Sequence, residues 1–331
     1  MKRKNFAAAL IAALCMVTVV GFVPVISSPA EAESTSYNMF IGTTHFTSDV
    51  ATTQEAYSFD PATLTLYLHG NITGTYNDNV MSAIQCNGFT GDKLKIVVDG
   101  NTTIDSQSTV KGGIFSNCRT YITVNKGCTL TIKGAFGISV QDNLSLTGLG
   151  TVRIYTAGNY LGGISSHGGA YYYSDKYNFA RHNVYIYNMN LLKVYSKGMY
   201  GIYAECGSVY ITNSKVYASG YAGGIASVYG NLKITESKKG KFVYASATKG
   251  PAVSAVKAAY NMNNTSLSQA KSGARLYFGK KTGIYKPTRS KIRSVTNRKV
   301  YTSPSNSSAY MTINCQTIKK GTKVLKAVTI R

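Results

Sequence analysis

Residues 198–234 read GMYGIYAECGSVYITNSKVYASGYAGGIASVYGNLKI. Short runs such as Val209-Tyr210-Ile211 and Lys215-Val216-Tyr217 are rich in β-branched and aromatic residues, and Gly, Asn and Ser separate them. That is the signature of short strands joined by tight turns. Gly201-Ile202 and Gly224-Ile225 stand 23 residues apart with two such runs between them, so the stretch reads as one coil of a solenoid.

Working outward, the same phase recurs at Gly113-Ile114, Gly137-Ile138 and Gly163-Ile164, with successive spacings of 24, 26, 38 and 23 residues. Coils of about two dozen residues with about three short strands each, and no helix-length apolar period, predict an all-β fold of the parallel β-helix class. A single coil cannot bury its own apolar face, so equivalent side chains of successive coils must stack. Ile114, Ile138, Ile164, Ile202 and Ile225 are therefore expected to form one inward ladder. The helix is assigned to residues 94–267, and tight corners such as Lys126-Gly127 and Lys133-Gly134 fall where positive φ is needed.

Upstream, Lys2, Arg3 and Lys4 precede a mostly apolar stretch over 6–23, and Ala30-Glu31-Ala32 places small residues before Glu33. This predicts a secretory signal over 1–32, removed on export; the competing reading keeps the same stretch as an anchor. Residues 33–93 are read as a lead-in and cap, with a short helix over 78–84 capped by Asp78, and the coils begin at Leu94–Val98. The expected location is secreted or cell-wall associated, with no membrane span after signal cleavage.

The chain has no Trp, 26 Tyr, 32 Gly and 15% charged residues, a composition that suits stacked short strands. Beyond the signal stand Cys86, Cys118, Cys128, Cys206 and Cys315, with no CxxC pair, and the four His form no HxH or HxxxH pair. A zinc site draws close-spaced ligand pairs, so no metal and no cofactor is expected. Either single buried thiols or a Cys118–Cys128 bridge fits the cysteine pattern.

The 38-residue interval exceeds its neighbours by about 14, and the excess falls in residues 167–182, HGGAYYYSDKYNFARH. An insertion projecting from a rigid scaffold is a favoured place for binding. His167, Tyr171, Tyr172, Tyr173, Asp175, Lys176, Tyr177, Arg181 and His182 are the candidate carbohydrate contacts, since Tyr offers a broad ring with a polar tip. The alternative packs those rings onto the solenoid flank. Further tyrosines follow the strands (Tyr185 and Tyr187, Tyr200 and Tyr203, Tyr210, Tyr217 and Tyr221), and period-two spacing would place some of them outward in rows, either as a polymer contact or, the favoured reading, as ordinary cross-strand neighbours.

Charge is divided unevenly. Residues 33–180 carry 8 Lys and Arg against 10 Asp and Glu, whereas 181–331 carry 25 against 2. Residues 275–331 hold 14 basic and no acidic side chains. Lys280, Lys281, Lys286, Arg289, Lys291, Arg293, Arg298, Lys299, Lys319 and Lys320 are the candidate anion-binding set of a basic segment over 268–331. Within it 280–301 is expected to be extended and solvated. Ser303-Pro304-Ser305 and Lys319 to Val324 resemble the opening of bacterial SH3-like wall-binding repeats, over fewer than 40 residues.

The Gly-Ile-x-Ala and Val-x-Ile-x-Asn-Ser phrases resemble those of bacterial right-handed parallel β-helix proteins, the pectate-lyase-like superfamily of enzymes, surface proteins and carbohydrate-binding proteins. That resemblance covers about residues 60–265 and implies polysaccharide as the ligand class. It transfers no catalytic residue. A hydrolase of this fold needs paired carboxylates and a lyase needs calcium-binding acids beside a base. Here Asp92, Asp99, Asp105, Asp142 and Asp175 are scattered, and Asp142 with Asp175 and Lys176 or Arg181 is the best lyase arrangement. The expectation is a non-catalytic binder of polysaccharide or anionic cell-wall polymer. The alternatives are a lyase acting on acidic glycans and a structural surface protein or adhesin. Nucleic acid, another polyanion, is disfavoured by the export signal and the lack of a recognition motif.

Overall fold

The computed structural model describes residues 38–46, 50–88, 92–158, 162–167, 170–173, 176–179, 182–236, 238–258, 261–262, 265–266, 274–301 and 310–331. The side chains of 170–173, 176–179, 229, 257–266, 296–301 and 310–314 are outside that description, as is the expected signal over 1–32. Every regular element among the described residues is a strand.

The strands stack into three parallel ladders that wind as a β-helix. The first runs through Thr65–Leu68, Lys93–Val98, Arg119–Val124, Leu144–Thr147 and Val184–Tyr187, then 209–212 and 232–234, to Leu276–Phe278. The second runs from Ile72–Thr73 through Thr102–Asp105, Thr129–Gly134, Thr151–Thr156, Leu191–Ser196 and Lys215–Gly220 to Phe242–Ala247. The third joins Ser82–Cys86, Gly112–Ser116, Ile138–Val140, Ile164–Ser166, 202–204, 225–228 and Val253–Ala258.

The register explains the sequence period. Ile114 pairs with Ile138, Ile138 with Ile164, Ile164 with Ile202 and Ile202 with Ile225, and Ile84 and Val253 extend the same column at its two ends. All of them are fully buried. A matching column of Leu66, Ile96, Ile122, Leu146, Ile186, Ile211 and Ile234 fills the first ladder. Burying each such side chain contributes about 1.5–3 kcal/mol, which only stacked coils can collect. Between the first and second ladders the chain turns at Gly148 (φ +120°), Asn188 (φ +54°) and Asn213 (φ +48°) on successive coils, a left-handed corner that Gly and Asn tolerate.

Two readings are corrected and a third takes a definite form. The coils begin at Thr65, one turn before Leu94, because Thr65–Leu68 and Ser82–Cys86 already pair in parallel with the following coil. The helix expected over 78–84 is absent: Ser82–Cys86 is a strand that sets Ile84 against Ile114, and Asp78 is fully exposed beside Lys111 at 3.6 Å. The segment expected to be extended and solvated over 280–301 is largely exposed where its side chains are described, and its part Lys291–Tyr301 is a strand antiparallel to Tyr310–Lys320.

Antiparallel strands close both ends of the helix. Met39–Ile41 covers Ser82–Cys86 and Tyr57–Asp60 covers Thr65–Leu68 at one end. Tyr310–Lys320 covers Val253–Ala258 and Ala327–Ile330 covers Phe242–Ala247 at the other. Each removes an open row of backbone donors and acceptors, the task assigned above to a helix. Gly321 (φ +57°) turns the chain between Lys320 and Lys323, joining Tyr310–Lys320 to the antiparallel strand Lys323–Val324.

Candidate functional site

The insertion is a hairpin, Ala170–Tyr173 paired antiparallel with Lys176–Phe179, so that Tyr172 faces Tyr177 and Tyr173 faces Lys176. It leaves the corner between the third ladder and the first without disturbing either, since Leu144 still pairs with Val184. The side chains of Tyr171, Tyr172, Tyr173, Lys176 and Tyr177 are outside the described set, and Asp175 and Arg181 lie outside the described residues altogether.

His167 and His182 are buried at the hairpin's foot. His167 Nδ1 meets Glu205 Oε2 at 2.8 Å and its Nε2 meets Ser165 Oγ at 2.9 Å. His182 Nδ1 donates to the His167 carbonyl at 2.9 Å. The Ser165–His167–Glu205 relay has the order of a hydrolytic triad, but the Ser165 hydroxyl is fully buried and is offered to no substrate. His167 ties the hairpin's foot to the next coil through Glu205, and His182 ties the two sides of the foot to each other. Gly207 lies against the same foot, where a Cβ would fall 1.8 Å from the His182 carbonyl oxygen, so that close approach requires glycine.

Immediately beyond the hairpin, the outer face of the first ladder carries one residue per coil in a single row: Lys95, Tyr121, Ser145, Tyr185, Tyr210, Lys233 and Tyr277. Tyr185 and Tyr210 stack at 5.1 Å with planes 8° apart, and Tyr187 lies 5.8 Å from Tyr185. Arg119, Tyr121, Asn143, Ser145 and Tyr185 line a depression of about 180 Å³. A second depression of about 330 Å³ on the other side of Tyr121 is lined by Lys93, Lys95, Ile96, Val97 and Thr123.

The polar floor of the first depression is rigid. Asn143 donates its backbone N–H and, at 2.8 Å, its Nδ2 to Asp142 Oδ1, while its own Oδ1 accepts from the Asn183 backbone at 2.8 Å. Asn183 Oδ1 accepts from Ser208 N, Ser208 Oγ from Asn231 N, and Asn231 Oδ1 from Arg275 N. Each side chain in this ladder satisfies the backbone of the next coil, and Asn183 Nδ2 also donates to the Tyr185 hydroxyl at 3.0 Å. The sequence reading missed this ladder, although its mark was present: a polar residue stands just before Leu144, Val184, Val209 and Leu232. Asp142 is buried, and Arg119 Nε stands 3.8 Å from it.

The second ladder has its own outward rings, with Tyr155 and Tyr195 stacked at 5.7 Å and Lys193 Nζ 5.7 Å from the Tyr217 ring centre. Of the basic set, Lys280, Lys281, Lys286, Arg289, Lys291, Arg293 and Lys320 are exposed and Lys319 is half-buried. Lys291 sits directly opposite Lys319 across the antiparallel pair. Arg298 and Lys299 lie on the strand Lys291–Tyr301, with side chains outside the described set.

Elsewhere, Cys118 Sγ lies 3.7 Å from Cys86 Sγ rather than against Cys128, and Cys86, Cys118 and Cys128 are thiols outside any disulfide. Burial pushes the Glu236 carboxyl up to about 8, opposed by the Ser214 N–H and Lys241. Among the described residues no group of three or more His, Cys, Asp and Glu is placed to hold a metal. No protein-family model, curated protein or solved structure matches this chain.

Proposed function

We propose that this chain is an exported, non-catalytic binder of polysaccharide or anionic cell-wall polymer, with the β-helix as a rigid ruler for a repeating ligand. The observation that carries the reading is the outer row of the first ladder, Lys95-Tyr121-Ser145-Tyr185-Tyr210-Lys233. It places aromatic rings and cations in register with one another, one per coil, beside the hairpin. A side chain free to be anything on a solvent-facing strand is here repeatedly Tyr or Lys. Rings supply apolar contact to sugar faces, and cations supply attraction to acidic groups.

The basic C-terminal hairpin supports retention on an anionic polymer. Like charges directly opposite each other across strands destabilise a sheet, so the Lys291 and Lys319 pairing costs stability unless an anion lies across it. Binding of residues 33–331 to neutral and acidic polysaccharides and to purified cell wall, at low and high salt with unsaturated products scored in parallel, tests the proposal. Binding of acidic polymers without turnover is the expected result. Cleavage would replace the reading with a lyase, for which Arg119 in the depression and the buried Asp142 3.8 Å from it are the residues to examine first. No binding to any polymer would overturn it in favour of a structural surface protein.

A further inference from the structure

The outer row of the first ladder is a stack with one ring missing. Strands of successive coils lie about 4.8 Å apart. Tyr185 and Tyr210, one coil apart, take up that spacing as a face-to-face pair at 5.1 Å. Tyr121 and Tyr185 occupy the same position two coils apart, so about 10 Å separates their places in the row. The coil between them contributes Ser145, whose side chain is too short to fill the place.

We infer that the gap over Ser145 is a subsite for a single carboxylated sugar ring, inserted between Tyr121 and Tyr185 with its carboxylate on Arg119. The inference rests on the reading of this face as polysaccharide-binding and names the unit it takes. A flat ring in the gap would lie within the 4.5–7 Å centre-to-centre range of ring stacking from each tyrosine. The depression there, about 180 Å³, is on the scale of one sugar ring rather than of a larger ligand.

Arg119 selects the acidic class. Its Nε is buried without a hydrogen-bond acceptor, because the nearest carboxylate oxygen, Asp142 Oδ1 at 3.8 Å, is beyond hydrogen-bonding distance and already accepts two N–H donors from Asn143. That Nε is turned inward, but the side chain as a whole is 37% exposed and lines the depression, so a carboxylate entering there meets a planar guanidinium whose remaining N–H donors match its geometry. Lys93 and Lys95, exposed along the adjoining depression, add positive charge on the side a neighbouring acidic unit of the polymer would occupy. Asn143, Ser145 and the Tyr185 hydroxyl remain to meet sugar hydroxyls.

The test measures binding of oligogalacturonate and of the matched neutral oligogalactose to the full chain and three variants. Ser145→Tyr completes the stack and plugs the gap while leaving every inward residue in place. Tyr121→Ser, at an exposed position, removes one wall. Arg119→Gln removes the charge. The wild type is expected to prefer the acidic oligomer. Ser145→Tyr and Tyr121→Ser should each weaken it about tenfold or more, and Arg119→Gln should lower acidic binding to the neutral level. Unchanged binding by the first two variants would overturn the subsite while leaving the polymer-binding function standing. Equal wild-type affinity for both oligomers would overturn the carboxylate assignment. Failure of the wild type to bind any polysaccharide would overturn the functional reading itself and the subsite with it.

Discussion

Alternate residues of the same strands build two faces of the first ladder with opposite rules. Inward, Leu66, Ile96, Ile122, Leu146, Ile186, Ile211 and Ile234 are all aliphatic and fully buried. Outward, offset by one residue, Lys95, Tyr121, Ser145, Tyr185, Tyr210 and Lys233 include no aliphatic side chain and mix rings, cations and a hydroxyl. The inner column is constrained by close packing, where each side chain rests on the same kind above and below. The outer row is constrained only by what approaches it. The fold is therefore stored in one half of the strand positions, which leaves the other half to carry the ligand preference proposed above.

Substitutions at neighbouring positions sharpen this contrast most. Ile186→Ala opens a cavity in the column and should cost about 2–5 kcal/mol, whereas Tyr185→Ala, the next residue outward, should cost about 1 kcal/mol and act mainly on binding. Urea unfolding midpoints of the two variants decide it, and equal losses would break the comparison.

Next comes a place where the inner rule is violated. Glu236 is a buried carboxyl whose second oxygen, Oε2, accepts from Ser214 N while Oε1 has no partner. Its proton is held up to about pH 8 in the folded chain, against an ordinary value of 4.5. Between those two pH values the folded state binds more protons than the unfolded one, so stability falls as pH rises through that window. The loss should be at most about 5 kcal/mol. Thermal melts across that range should show the decline in the wild type and a flatter profile in Glu236→Gln; parallel profiles would place the titration elsewhere.

The smallest effect belongs to the basic hairpin. Lys291→Glu turns a like-charge cross-strand pair with Lys319 into an attractive one and should stabilise the chain by about 0.2–1 kcal/mol. Retention on an anionic polymer should weaken in the same variant. A gain in stability with no loss of retention would separate the hairpin from the binding function.

Much of the fold was legible because stacking imposes a period. The Gly-Ile pairs located the third ladder, and the long interval located the hairpin to within a few residues. The strand Ser82–Cys86 was misread because Val80, Met81, Ala83 and Ile84 form a short apolar run that periodicity alone does not assign. His167 and His182 were placed among sugar contacts because loop residues are usually exposed, whereas both are buried under the hairpin they anchor.

The sequence by itself determined the class of fold, the inward isoleucine column, the position of the insertion and the concentration of positive charge in the second half. These are repeated or summed properties, and repetition survives in one dimension. Only the tertiary structure decided which outward residues share a row, that Ser145 leaves a gap between Tyr121 and Tyr185, and that Glu205 reaches His167 from 38 residues away. Coils differ in length, most of all across the hairpin, so neighbours in space stand at unequal distances in the chain. Backbone pairing between coils, rather than any spacing along them, sets which side chains meet.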